Sequence, residues 1–396
     1  LRAAGITEAN GKELKVDGRF GETTAAAIAL YRGKETLEQG SSIDATLLRQ
    51  LMPQGIERTK ASPQPNAETK ELHSGALENA ATILKELSPY QRNALTRKLE
   101  TLTGTRTAAT QLVAITKELG IDLSTTSGIE KFQTERGLKV DGDMGPATAR
   151  SVAEVVSAEW LKRCVTQQGP SHEWRAGINE INVVGLRGWS PETGQNANTH
   201  NLWNDTIAMV WTDPQGLIRF KEFRATCDPG IKRNSKAPDV NGDGRGDVGH
   251  IAPGQYLFKH GYYKGRAGFG VPSEGKAVNV YRDTSGDGKI GTEDKTGPIK
   301  RLWDRFSSYF GNDTFKFHGL RNTCDPDKLT VVGGASAGCQ VPKVTLNEFK
   351  REISPLLAAN PGNFPYTLID LSTNHQHAST LSRQFAEALG KPIAQK

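Results

Sequence analysis

Phe317-His318-Gly319-Leu320, followed by Gly333-Gly334-Ala335-Ser336-Ala337-Gly338-Cys339-Gln340, is the stretch on which the reading of this chain turns. It offers a base and a nucleophile. A thiol attacks a carbonyl well only as the thiolate, so it needs a base close by to take its proton. His318 is such a base, because imidazole titrates near neutral pH. Glycines at 333, 334 and 338 permit a tight backbone around Cys339. A backbone of that kind can aim N–H groups at a developing oxyanion. Spacing by itself leaves a plainer alternative open: a histidine that serves the fold and a cysteine that acts as a small buried apolar residue.

His-Gly, a variable stretch and then Ser-x-Gly-Cys together resemble the motif of the L,D-transpeptidase catalytic domain. Ile251-Ala252-Pro253-Gly254-Gln255-Tyr256 is similar to that family's Thr-Pro-x-Gly-x-Tyr/Phe strand entry. The resemblance covers roughly residues 178 to 345. It departs from the family at three places: Val341 stands where Arg is usual, Ala337 where His or Lys is common, and Gln340 where an apolar residue is usual. The resemblance implies a cysteine enzyme that acts on peptidoglycan stem peptides. Cys339 attacks the carbonyl that follows the L-centre of the third stem residue, D-alanine leaves, and a thioester remains. His318 serves first as base and then as acid. The N–H groups of Gly338 and Cys339 are the expected oxyanion donors, and Ser336 orients the site. Arg321, three residues after His318, is the expected replacement for the missing carboxylate-binding Arg, with Gly319 on the same substrate side.

Earlier in the chain two stretches repeat. Leu14-Lys15-Val16-Asp17-Gly18-Arg19-Phe20-Gly21-Glu22-Thr23-Thr24 is echoed by Leu138-Lys139-Val140-Asp141-Gly142-Asp143-Met144-Gly145-Pro146-Ala147-Thr148. Each Asp-Gly reads as a tight turn, and each Thr as the cap of a helix that follows, over 25–31 and 149–156. Before the second copy, 128–133 reads as a helix carrying Phe132-Gln133. Helix, Gly-Leu-x-Val-Asp-Gly-x-x-Gly turn, Thr and helix resemble the peptidoglycan-binding repeat family, and the first copy lacks the Phe-Gln. The alternative is a pair of helical hairpins that only pack. Ser62-Pro63-Gln64-Pro65-Asn66 is a polar linker. Apolar residues over 76–119 keep helical spacing, with Ser88-Pro89 starting a new helix.

At 396 residues the chain is long enough for two or three domains. Apolar residues make up 36%, and no run approaches the ~18 residues of a membrane span. A net charge of +6 suits an anionic polymer. Nucleic acid is the generic reading, but no basic-aromatic strip supports it, and the bacterial wall is polyanionic too. Cys227 and Cys324 share the phrase Thr-Cys-Asp-Pro, which admits a disulfide in an oxidising compartment and equally admits free thiols.

From about residue 159 the texture is that of strands: 178–186, a hairpin of 206–211 and 217–223, then 254–263, 277–281, 329–332 and 366–371. Helices are expected over 344–357, capped by Thr345, and over 379–389. Two acidic loops interrupt this part. Asp283, Ser285, Asp287, the carbonyl of Lys289 and Asp294 fall at calcium-loop positions with Gly288 at the sixth place; Asp239, Asn241, Asp243 and Asp247 open a similar loop whose twelfth place is His250. Both also read as Asx-rich turns. His375 and His377 lack a third ligand at a recognisable spacing. Trp189, Trp203 and Trp211 read first as core aromatics, with a glycan groove as the other reading.

The expected fold is therefore multidomain α+β: small helical peptidoglycan-binding repeats followed by a mainly β, L,D-transpeptidase-like catalytic domain. The boundaries are 1–51 for the first repeat, 52–75 for a linker, 76–157 for a helical region with the second repeat, and 158–396 for the catalytic domain. The expected partner is peptidoglycan, with no nucleic acid and no membrane span, and calcium as a structural cofactor. The expected location is secreted, periplasmic or wall-associated, or delivered to the wall as a lysin. A hydrolase of the same peptides, a catalytically dead wall-binding protein and a zinc peptidase using His375 and His377 are the alternatives.

Overall fold

The computed structural model describes residues 67–103, 107–232, 237, 239, 241–263, 266–273, 278–288 and 316–372. The first repeat, the proline-bearing linker, Lys289, Asp294, His375, His377 and the expected helix over 379–389 lie outside the described residues. The chain divides into two compact units, Leu1–Lys70 and Glu71–Lys396. The second holds nearly everything described here.

Among the described residues five helices come first: α1 (Ala67–Glu86), α2 (Pro89–Thr103), α3 (Ala108–Glu118), α4 (Thr126–Glu135) and α5 (Pro146–Thr166). The part of the expected linker from Ala67 onward is thus helical. Ser88 starts α2 as its sequence predicts, its hydroxyl accepting from the Gln91 N–H at 3.3 Å. Ala80, Ile83, Leu95, Leu99, Leu112, Phe132 and Val152 fill one apolar core among these helices.

The Phe-Gln of α4 and the Val-Asp-Gly turn form one unit. Phe132 enters the core. Its neighbour Gln133 is buried, and its Oε1 accepts from the Asp141 and Gly142 N–H groups at 3.0 and 2.9 Å. Its Nε2 donates to Asp141 Oδ1, the Asp143 carbonyl and Thr148 Oγ1. Thr148 is therefore not the helix cap expected of it: α5 begins two residues earlier, with Gly145 at the N-cap and Pro146 in the first turn. Proline there has a fixed φ suited to the helix and loses no hydrogen bond.

α5 runs on past 157, where the sequence placed a boundary. Its first half packs among the helices, and its second half, with Ala158, Trp160, Leu161, Cys164 and Val165, lies on the sheet. Lys98 of α2, 1% exposed, also reaches the sheet and pairs with Glu222 at 2.8 Å.

The sheet has seven strands, numbered in chain order with four short ones outside it: β1 (Ile181–Arg187), β2 (Trp189–Ser190), β3 (Gly194–Gln195), β4 (Asp205–Thr212), β5 (Ile218–Thr226), β6 (Gly249–Ile251), β7 (Gly254–Tyr263), β8 (Arg266–Pro272), β9 (Val280–Arg282), β10 (Val341–Pro342) and β11 (Asn363–Asp370). Its order is β10-β5-β4-β1-β11-β7-β8. Among the described strands of this sheet only β1 and β11 pair in parallel, so the sheet is mixed. β1 is buried along its whole length because both faces are covered. Ile181 and Val183 face the main core, while Val184 and Leu186 face α5, as a period of two requires. The expected strand over 329–332 reduces to a single bridge, Leu202 with Val331, and then a tight turn at Gly333–Ala335. The expected helix over 344–357 is two: α6 (Leu346–Glu352), with a full capping box between Thr345 and Glu348, and α7 (Ser354–Ala359). Their Phe349, Ile353 and Leu357 enter the main core. Trp189 and Trp203 are core residues, and Trp211 packs against the core.

The sheet curls until its two edges meet. Phe317 bridges Gly270 of β8 on one side and Gln340, which precedes β10, on the other. The ladder thus continues from β8 through Phe317 and Gln340 to β10 and back to β5. The His-Gly and Ser-x-Gly-Cys segments are the two sides of this seam.

Candidate active site

His318 and Cys339 are twenty-one positions apart in sequence, and the seam brings them together. The Gln340 N–H donates to the Lys316 carbonyl at 2.8 Å, and the His318 N–H donates to the Gln340 carbonyl at 3.2 Å. These two bonds clamp 316–318 beside 339–340 in a parallel bridge, Phe317 to Gln340. Phe317 is buried, with its ring edge-on to Phe349 at 5.1 Å. Gln340 is fully buried too; its Nε2 donates to the carbonyls of Cys227 and Gly338, and its Oε1 accepts from the Tyr366 hydroxyl. Since alternate residues of a strand face opposite sides, Lys316, His318 and Cys339 project away from the main core.

The side chains of His318 and Cys339 are hydrogen-bonded to each other. Both are half-buried. His318 Nδ1 donates to the Gly319 carbonyl at 2.8 Å. A carbonyl can only accept, so the neutral ring carries its proton on Nδ1 and keeps Nε2 as its basic nitrogen. Burial alone would raise the Cys339 thiol, but the hydrogen bond and charge of His318, with the Lys316 N–H and ammonium, bring it below the ordinary thiol value. Burial likewise opposes the His318 imidazolium, and Cys339 outweighs it, so His318 titrates above ordinary imidazole. Both displacements favour a thiolate–imidazolium pair. The consequence is testable by site-resolved alkylation. Native Cys339 should keep reacting with iodoacetamide at pH 7 and below, whereas the urea-unfolded chain should lose rate as pH falls below ~8.5. His318→Ala should move the native inflection upward; an inflection unmoved by that substitution would contradict the pairing.

Gly319 has no room for a side chain: a Cβ there would lie 2.8 Å from both Phe349 Cβ and the Thr345 carbonyl. Its carbonyl holds the His318 ring in place. Ser336 is fully buried. Its hydroxyl donates to the Cys339 carbonyl at 2.8 Å and accepts from the Gly338 N–H at 3.1 Å. It therefore knots the turn, and the Gly338 N–H expected at an oxyanion is taken up inside that knot. Gly338 has φ +120°, a conformation that side chains disfavour. Arg321 is exposed, in the turn where the Cys324 N–H bonds to its carbonyl. Val341 lies on the same side as Cys339 but is buried with Trp203, Leu320 and Val332.

Behind Cys339 lies a charged network that the sequence did not announce. Arg187, at the end of β1 and 3% exposed, pairs with Asp228 at 2.9 Å and Asp370 at 3.6 Å, and donates to the Ile251 carbonyl at 2.8 Å. Asp228 also meets His250 Nδ1 at 3.0 Å. Asp205 accepts from the Gly188 and Cys227 N–H groups, both at 2.7 Å; burial and then the charge of Asp228 push its carboxyl up to about 8. Burial acts against Asp228 as well, but Arg187 and His250 hold it well below the usual carboxylate range. This network fixes Cys227, whose carbonyl takes the Gln340 amide. Cys227 and Cys324 are free thiols, so the disulfide that their shared phrase admitted is not formed.

The acidic loops adopt Asx turns. Asp239 accepts from the Gly242, Asp243 and Gly244 N–H groups, and Asp283 from those of Gly286 and Gly288. The two loops touch where Asn241 Nδ2 donates to the Thr284 carbonyl at 3.0 Å. Asp247 is buried at the end of the first loop, and Asn241, Asp243 and Asp287 are exposed. Among the described residues no three His, Cys, Asp or Glu side chains converge as metal ligands would. Lys289 and Asp294, the later positions of the second loop, lie outside the described residues. No described helix is long and apolar enough to cross a membrane.

Comparison of the chain with family models, with curated proteins and with solved structures returns no match.

Proposed function

We propose that this chain is a cysteine acyltransferase of the L,D-transpeptidase type that acts on peptidoglycan stem peptides. The single observation that carries the reading is the His318–Cys339 hydrogen bond, at a sheet seam, with the histidine oriented by the Gly319 carbonyl. In such a site the Cys339 sulfur attacks the peptide carbonyl and forms the new C–S bond. The scissile C–N bond breaks, and the leaving amine takes its proton from the His318 imidazolium. A thioester on Cys339 and a neutral His318 remain. His318 then deprotonates the acceptor, an amine for transfer or water for hydrolysis, and the thiolate departs.

Delivery to the wall is part of the same reading, on the ground that the second repeat resembles peptidoglycan-binding repeats. In the second repeat the buried Gln133 side chain ties the Phe132-Gln133 helix to the Val-Asp-Gly turn by four hydrogen bonds and to Thr148 of α5 by a fifth. Transfer is favoured over hydrolysis on one ground. Gln340, whose polarity could have drawn water beside Cys339, turns inward and is fully buried. Supplying a tetrapeptide donor with excess D-amino acid tests the choice. Product carrying the new D-residue is expected; tripeptide alone at every acceptor concentration would assign the chain to the hydrolases instead.

A further inference from the structure

We infer that Lys316 is the carboxylate-binding residue of this site, and that it selects donors with a free carboxylate next to the scissile bond. The inference rests on the reading of Cys339 as the nucleophile. It follows from register. The parallel bridge joins Phe317 to Gln340. Stepping back one residue on each strand sets Lys316 opposite Cys339. Strands in a sheet lie ~4.8 Å apart, so the two side chains leave the backbone as neighbours on one face. The flanking residues confirm which face: Phe317 and Gln340 are both buried on the other. Lys316 is half-buried. The backbone bond from Gln340 to the Lys316 carbonyl, 2.8 Å, fixes where the side chain starts.

Two other positions compete for this role. Val341 carries no charge and is buried under Trp203. Arg321 is exposed in a turn beyond His318. Lys316, by contrast, is in strand register with the nucleophile. Its four-carbon stem gives the ammonium reach over whatever is bound at the thiol. A tetrapeptide donor carries its C-terminal carboxylate one residue beyond the attacked carbonyl, which is within that reach. The same ammonium would favour the thiolate before the donor arrives.

Two haloacetyl reagents separate this from the functional reading, because they need only Cys339. Iodoacetate carries a carboxylate and iodoacetamide does not. The iodoacetate-to-iodoacetamide rate ratio at Cys339 should fall on the order of fivefold in Lys316→Gln, the size of a partly exposed ion pair, and return in Lys316→Arg. A ratio unchanged by Lys316→Gln would overturn the inference. The second arm compares tetrapeptide donors ending in carboxylate and in carboxamide. Lys316→Gln should raise KM for the carboxylate donor only. An equal rise for both donors would also overturn it. If the wild-type protein shows the reagent preference but acylates with neither donor, the peptide reading has failed, and the donor half of this inference fails with it.

Discussion

Cys339→Ala is expected to lose stem-peptide turnover by on the order of 10⁴-fold or more while the protein stays folded and still sediments with purified sacculi. Removal of a nucleophile that acts as a unit with its base has effects of this size. The fold should tolerate the change, because the turn is held by other groups. Ser336 Oγ bridges the Gly338 N–H and the Cys339 carbonyl, and Gln340 is anchored by Tyr366 and by the Cys227 carbonyl. None of these bonds uses the sulfur. The measurements are muropeptide analysis for turnover and a sacculus pull-down for binding, run on the same preparation. Full activity in Cys339→Ala would remove the nucleophile assignment. Loss of both activity and binding, with a lowered melting temperature, would show instead that Cys339 serves the fold.

The largest expected effect on stability is that of Arg187→Ala. The guanidinium is buried between Asp228 and Asp370. Taking it away leaves two carboxylates in the interior without their cation. Breaking a buried pair from one side costs about 3–5 kcal/mol, a fall of roughly 10 °C in Tm for a unit of this size. The loss should depend on pH with a definite sign. Asp228 titrates below its unfolded value because Arg187 and His250 outweigh its burial. Its contribution is therefore complete above the unfolded carboxylate range, ~4, and is lost as pH falls through the folded value. Arg187→Ala should thus be most harmful near neutral pH and approach the wild type as the medium becomes acid. Differential scanning calorimetry from pH 2 to 7.5 reads this directly: the cost should stay level above pH ~4 and shrink below it. A cost that is small, or that grows toward acid pH, would contradict the network described here.

These two residues also mark what could and could not be read from the chain. Cys339 and His318 were legible because their chemistry is carried by residue type and by glycines at fixed offsets. The Phe132-Gln133 helix and the Val-Asp-Gly turn were legible for the same local reason. The hairpin of β4 and β5 was announced by its alternation and by the Asp213-Pro214-Gln215-Gly216 turn. Arg187 was not legible, since its partners stand 41 and 183 positions away at the ends of other strands. Nothing local marks such a group as buried. Thr148 looked like a helix cap because Thr often is one; the buried Gln133 amide claimed its hydroxyl instead. Arg321 is near His318 in sequence but is exposed in a turn. The alternation Lys316-Phe317-His318, polar, apolar, polar, places Lys316 and His318 on one side of a strand.

The central claim is that Cys339 carries the acyl group of a stem peptide. Intact-mass spectrometry after rapid acid quench, with a tetrapeptide donor and no added acceptor, tests it most directly. The account predicts a protein species heavier by the acyl group, mapped by peptide digestion to Cys339, slowed in His318→Ala and absent in Cys339→Ala. Turnover of the donor with Cys339 unmodified throughout, or an adduct mapped to another residue, would contradict it.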